Sequence, residues 1–247
     1  MQILYQDKHM LVVNKPSGLL SQPGRVINDS VVHRLEKQFV FVGLVHRLDQ
    51  FTSGIMVVAL NKEAQSNLSK QFIDRLTFKV YEAVVYGTLP CSQGQINLPL
   101  RCDWPNRPRQ EVTAEGKQAL SHWQRIDSYV IQPKTSAVNK HVNNIHHTTV
   151  DNIELDMFAD RDKYSYGKDF QNSSNTVSRI LLIPHTGRTH QLRIHMAAIG
   201  HPIIGDYFYA HDQGFNMANR LNLHARSLYL NHPLTGQRMQ FESNAPF

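Results

Sequence analysis

"HRLDQFTSGIMVVAL" (46–60) opens with three ionisable side chains in four positions and then turns almost wholly apolar. The apolar half, "SGIMVVAL", has no polar face, so it predicts a strand in the middle of a sheet. The charged half sets His46, Arg47 and Asp49 at the mouth of that strand. Charges placed there cost free energy unless they are paired or used. In an extended segment residues i and i+2 point the same way, so Arg47 and Asp49 share a side while Leu48 faces the core. An isolated R-x-D is most often a weak structural ion pair. Only partners from elsewhere in the chain can give it more meaning.

Working outward, "ILYQDKHMLVVNKP" (3–16) reads as two strands joined at 6–8, followed by the glycine- and proline-marked loop "SGLLSQPGR" (17–25). A short helix follows, capped by Asp29 or Ser30, with Val31, Leu35 and Phe39 on one face. A second helix starts near Asn61, where Ala64, Leu68 and Phe72 form a stripe. "KVYEAVVYG" (79–87), "GQINLPL", "ALSHWQRI", "SRILLIP", "LNLHARSLYL" and "QRMQFES" supply six more strands. Strands and helices do not alternate regularly. The expectation is therefore an α+β fold, a mixed, mostly antiparallel sheet with helices packed on it.

The 247 residues suit one large domain or two small ones. The net charge of +6 and pI near 9.3 fit a polyanionic partner such as RNA or DNA. Cys91 and Cys102 have neither the number nor the spacing for a zinc site or a disulfide framework and read as free thiols. No signal segment opens the chain and no apolar run reaches membrane-spanning length, so a cytoplasmic protein without a membrane partner is expected. The hydrophobic share of 41% is diluted by one polar stretch at about 134–176, which looks inserted between two strands. Within it only "NIELDMF" (152–158) alternates like a short strand.

Two further constellations carry chemistry. Alternation in "KVYEAVVYG" puts Lys79 and Tyr81 on one face with Ala83 and Val85, a cation and a phenol among small apolar residues. In "PHTGRTHQLRIHMAAIGHPIIGD" (184–206), Thr189 is the expected N-cap of a helix running to Gly200. Arg188 and Arg193 then sit at the helix start, where cations oppose the dipole and call for an anion. His190 and His195 lie five apart, about 140° around a helix, which is wrong for two ligands on one face, so no metal is expected. There is no G-x-G-x-x-G or P-loop, and no nucleotide cofactor is indicated.

Taken together, "HRLDQFTSG", "KVYEAVVYG", "TGRTHQLRIH" followed by "HPIIGDYFY", and "LHA" (223–225) resemble, in order, the motifs of the RluA family of pseudouridine synthases. The N-terminal "ILYQDKHMLVVNKPSGLLSQPGR" and "PLRCDWPNRPRQEV" (99–112) resemble a branch that acts on both 23S ribosomal RNA and transfer RNA. The resemblance implies the pseudouridine synthase fold with a catalytic cleft. It also implies one catalytic domain over 1–247, with no N-terminal S4-type RNA-binding domain. The polar insertion at 134–176 is a departure from the family pattern.

The implied reaction is isomerisation of uridine within structured RNA, 23S rRNA or a tRNA anticodon stem-loop, with no cofactor and a monomer expected. By the same resemblance Asp49 is the catalytic carboxylate, Arg193 its partner and Tyr81 the acceptor of the C5 proton. Arg47 fills the gap left by the flipped base. Arg25, Lys79, Arg101, Arg107, Arg109 and Arg188 are candidate exposed cations for the RNA backbone, with Trp104 a stacking surface. A non-catalytic RNA-binding or chaperone protein using the same basic cleft is the competing reading. It would let Asp49 be lost freely, whereas Asp49, Tyr81 and Arg193 occur together here. A standard glycosidase would need a second carboxylate, and no motif supplies one.

Overall fold

A computed structural model describes residues 1–131 and 175–247. The strand "SGIMVVA" becomes β4 (Ser53–Ala59), buried along its whole length. It can be so apolar because it is covered on both faces and paired on both edges. Antiparallel β2 (Met10–Lys15) lies on one side and β11 (Leu223–Asn231) on the other, the latter in parallel through Ser53 and Gly54. The other strands are β1 (Gln2–Gln6), β3 (Gly43–Leu44), β5 (Phe78–Tyr86), β6 (Gln93–Asn97), β7 (Leu100–Cys102), β8 (Gln110–Val112), β9 (Leu120–Val130), β10 (Thr176–Pro184) and β12 (Arg238–Glu242). Among the described residues ten strands form one sheet, in the order β1-β2-β4-β11-β5-β10-β9-β6, with β12 beside β11 and β3 beside β4. The other two, β7 and β8, pair as a separate ribbon. The β4–β11 pair is parallel and the remaining pairs are antiparallel, so the α+β expectation holds.

Helices cover both faces. On one side α1 (Val31–Glu36) packs Val31 and Leu35 on Leu11, Val13, Met56 and Val58. Ser30, not Asp29, caps it, its hydroxyl accepting from the His33 N–H. On the same side α3 (Gln191–Ala198) lays Leu192 and Met196 on Ala83, Val85, Ile180 and Leu182. Tyr81 touches both of these clusters. On the opposite face α2 (Lys62–Ile73), capped by Asn61, packs Ala64 and Leu68 on Met10, Val12, Ile55 and Val57. A short α4 (Asp212–Asn216) precedes β11. No helix among the described residues is long and apolar enough to cross a membrane.

The predicted helix at 189–200 is shorter than expected. Its N-cap is His190, in the left-handed conformation at φ +53°, and not Thr189. The backbone turns sharply there to carry the chain from β10 into α3, and the Gln191 amide oxygen satisfies the Arg188 N–H. Residues 134–174 of the polar insertion, including 152–158, lie outside the described residues. The strands flanking it pair antiparallel out to Val130 and Thr176.

Candidate active site

Asp49 sits in the turn just before β4, and a second loop clasps that turn. The Ser21 hydroxyl donates to the Leu48 carbonyl and accepts from the Leu48 N–H, and Ser17 Oγ donates to the Phe51 carbonyl. Gly18 N–H donates to the Gln50 carbonyl at 2.9 Å. Lys15 is wholly buried at the end of β2, and its Nζ donates to the carbonyls of Pro16, Leu19 and Gln50. Burial pulls the Lys15 amine down to about 7, against the attraction of Asp49. Thus "NKPSGLLS" is the brace that fixes the peptide carrying Asp49.

His46 is equally structural. Its Nε2 accepts from the Val57 N–H at 3.0 Å, and its ring stacks on Phe72 with centroids 4.4 Å apart. Burial, aided by the charge on Lys79, depresses it to about 3, so the ring is neutral. Leu48 is buried, while Arg47 and Asp49 both face a cleft of about 720 Å³, as the two-residue alternation predicts.

Register brings Tyr81 to the same cleft. Gly54 pairs with Ala225, Ala225 with Tyr81, and Tyr81 with Leu182 across four neighbouring strands. Gly54 has φ +115°, and a Cβ there would lie 2.3 Å from the Ala225 carbonyl oxygen, so the close parallel approach of β4 and β11 needs glycine. Burial, and then the nearby Asp49, push the Tyr81 phenol well above its ordinary range. It is a neutral ring at physiological pH.

Arg193 enters the cleft from the first turn of α3. The anion its position calls for is chiefly Asp206, which accepts from Nε at 2.8 Å and Nη2 at 2.7 Å. Both groups are buried, at 2% and 0% side-chain exposure. Burial works against both charges, but each holds the other ionised: Arg193 is raised and Asp206 lowered. Asp206 Oδ1 also accepts from the Phe208 and Tyr209 N–H groups, and the guanidinium lies over both of their rings. So fixed, Arg193 turns Nη1 toward Asp49, 3.7 Å from Oδ2. His190 Nε2 stands 4.0 Å from the same oxygen, and its Nδ1 is hydrogen-bonded to the Tyr209 hydroxyl. Burial, then Arg193, lower His190 to about 4. A carboxylate thus faces the cleft beside a locked guanidinium and shares it with a neutral phenol. That arrangement suits charge stabilisation or nucleophilic attack at a sugar carbon.

Of the residues singled out in the sequence, Arg47, Asp49, Lys79, Tyr81, Arg188 and Arg193 line this cleft. Arg47 is exposed, with a long hydrogen bond of 3.4 Å to Thr189 Oγ1. Lys79 lies 5.9 Å from the Phe72 ring, and Arg188 donates to the Gln118 carbonyl. Arg25, Arg101, Trp104, Arg107 and Arg109 are not among the lining residues. Arg101 is spoken for by Glu111 in a pair across β7 and β8, and Arg107 stacks on exposed Trp104 at 4.8 Å. Arg109 corrects an expectation: it is no exposed cation but 7% exposed, packed over Tyr209. Asp206, Thr52, Arg75 and His190 are cleft or support residues that the sequence left without a role. For Asp206 the available signal was a lone acid straight after the apolar "PIIG".

The family described as "RNA pseudouridylate synthase" matches residues 9–198. The "Dual-specificity RNA pseudouridine synthase RluA" of Yersinia pestis is 44% identical, covering 100% of both chains. The protein of the same name from Escherichia coli (strain K12) is 42% identical over 99% of this chain and 93% of its own. Among solved structures, "Human RNA Pseudouridylate Synthase Domain Containing 1" superposes with a TM-score of 0.72 at 26% identity, covering 100% of this chain and 84% of the other.

Proposed function

The chain belongs to the RNA pseudouridylate synthase family and isomerises uridine to pseudouridine in RNA, and from that premise we propose that Asp49, Arg193 and Tyr81 carry the reaction. The N1–C1′ bond of a uridine breaks, the uracil turns, and C5–C1′ forms. No atom is gained or lost. The observation that supports these roles is the Asp49 carboxylate, the single one among the described residues lining the cleft, 3.7 Å from a guanidinium that Asp206 has already locked. Asp49 acts at the glycosyl centre, as a nucleophile or as a stabiliser of positive charge. Arg193 aims the carboxylate, without being free to engage it in a short bidentate pair.

Tyr81 is the wall on which the uracil stacks. Its phenol is held neutral, so it is a poor base in the free protein. A C5 proton passed to it leaves only as the phenol's own proton moves on, and Asp49 is the carboxylate in the same cleft. A paired uridine reaches such a cleft only when flipped out of its stack. Exposed Arg47, two residues from Asp49, fills the vacated space with a planar cation that stacks and hydrogen-bonds. Lys79 and Arg188 meet the RNA backbone at the cleft, and Trp104 with Arg107 offers a stacking surface further out.

We further propose that the substrates are both 23S rRNA and tRNA, that the protein acts as a monomer, and that it works in the cytoplasm. Full-length similarity to enzymes named for dual specificity supports the first of these. Mapping pseudouridines in ribosomal and transfer RNA from cells with and without the gene tests it. Loss of specific sites in both RNA classes is expected. Loss in one class alone would remove the dual assignment.

A further inference from the structure

Two non-glycine residues among those described have a left-handed backbone, His190 and Arg75, and both line the catalytic cleft. His190 is accounted for by the turn into α3. Arg75 follows the C-cap of α2, Asp74, at φ +58°. The Leu76 N–H reaches back to the Gln71 carbonyl at 2.9 Å, which closes the helix in a Schellman turn. The left-handed place in that turn is ordinarily glycine, because a Cβ there is strained. The strain secures no contact that the protein itself uses: among the described residues the Arg75 guanidinium has no hydrogen bond, ion pair or ring partner. The turn would close as well, or better, with glycine. A strained residue at a site's edge points to a use outside the fold.

The surroundings say which use. Among the described residues the cleft is lined by five cations, Arg47, Arg75, Lys79, Arg188 and Arg193, against the single carboxylate of Asp49. Arg75 stands near enough to His185, on the β10–α3 turn, to depress it alongside burial and His122. It is flanked by two apolar side chains held toward solvent, Ile73 at 77% and Phe78 at 42% exposure, both lining the same cleft. A cation between exposed apolar surfaces at the mouth of a basic cleft is complementary to unstacked nucleotides, phosphate on the cation and bases on the apolar side chains.

We propose that the α2–β5 turn is an RNA-binding wall of the cleft, in which Arg75 contacts a backbone phosphate next to the flipped uridine. The inference rests on the RNA-isomerising reading of the cleft. The test measures thermal midpoint, uridine conversion and RNA stem-loop affinity as a function of salt. It compares the parent with Arg75→Gly, Arg75→Asn and Arg75→Lys. Gly and Asn tolerate the left-handed backbone, so their midpoints should equal or exceed the parent's. Their Kd should rise about five- to tenfold, and the slope of log K against log salt should fall by about one. Arg75→Lys should bind within about threefold of the parent. A glycine variant with parental affinity and slope would overturn the proposal, as would a clear drop in its midpoint, which would make Arg75 a structural residue. A parent that neither binds nor converts RNA would overturn the reading of the cleft itself, and is thereby distinguishable.

Discussion

A guanidinium with 2% of its side chain exposed needs a counter-charge, and Arg193 has two unequal ones. Asp206 takes the short bidentate pair, and Asp49 is left with the longer contact and an open face to the cleft. That inequality keeps Asp49 available for chemistry. Arg47 is the opposite case, an exposed cation tied, among the described residues, by one 3.4 Å hydrogen bond. Arg47→Ala should therefore leave the thermal midpoint within about 1 °C, since exposed substitutions cost little. It should weaken productive engagement of a stem-loop whose target uridine is paired, and weaken it less where that uridine is already unpaired. Equal losses on both substrates would count against the gap-filling role. That Arg47 and Asp49 share a side and that Arg193 opens a helix and calls for an anion were legible in the sequence, while the roles expected of them came from the family resemblance. Asp206 was not legible in its role. A lone acid thirteen residues on shows its partner only once α3 and the following turn fold back on each other. Arg109 misled because a cation within a basic run reads as exposed, and only the packing of Tyr209 beneath it says otherwise.

The junction of β4 and β11 is the element on which the site depends. Among the described residues it is the one parallel strand pair in the sheet, and it sets Tyr81 in register with Gly54 through Ala225. A methyl group at Gly54 would meet the Ala225 backbone at 2.3 to 2.8 Å, which no side-chain rotation relieves. Gly54→Ala should lower stability by about 3 kcal/mol or more, from the positive φ and overpacking together. Urea unfolding measures this, and a loss under about 1 kcal/mol would contradict the close approach. Strands and helices were largely readable here, since a fully apolar run, stripes at four-residue spacing and Ser or Asn caps each have one local cause. The start of α3 was not. A capping threonine was the cheap local choice, and the tertiary demand to turn into the cleft overrode it at His190.

At the scale of the whole molecule, Asp7 ties the β1–β2 hairpin near the chain's start to His232, just past the end of β11. Its carboxylate accepts from the His9 and Met10 N–H groups, the Tyr5 hydroxyl and His232 Nε2. Burial raises its pKa, but these hydrogen bonds outweigh it and hold Asp7 at about 2. A carboxylate lowered on folding stabilises above its unfolded value, about 3.9, and that contribution disappears as pH falls through the folded value. The contribution is on the order of 2 kcal/mol. Asp7→Asn should thus be less stable than the parent at pH 6, with the gap closing between about pH 4 and 2. A gap independent of pH would refute the assignment. We propose that the 134–176 stretch, most of which lies outside the described residues, is dispensable for the reaction. The strands pair to Val130 and Thr176, and Ile131 N–H donates to the Asn175 carbonyl at 2.8 Å, so a two-residue Asn-Gly turn can replace 132–174. That variant should fold and convert a short stem-loop at near the parental rate. A hundredfold fall in turnover would show that the stretch reaches the site.

We propose that one carboxylate, Asp49, makes the cleft a catalyst and not merely an RNA-binding surface. Asp49→Asn keeps the size and hydrogen-bonding capacity of the side chain and removes its charge. The most direct measurement is tritium release from RNA labelled with [5-³H]uridine, read beside the affinity of the same RNA. The variant should bind within a few-fold of the parent and release no tritium above background. Appreciable release by the purified variant would contradict the proposal.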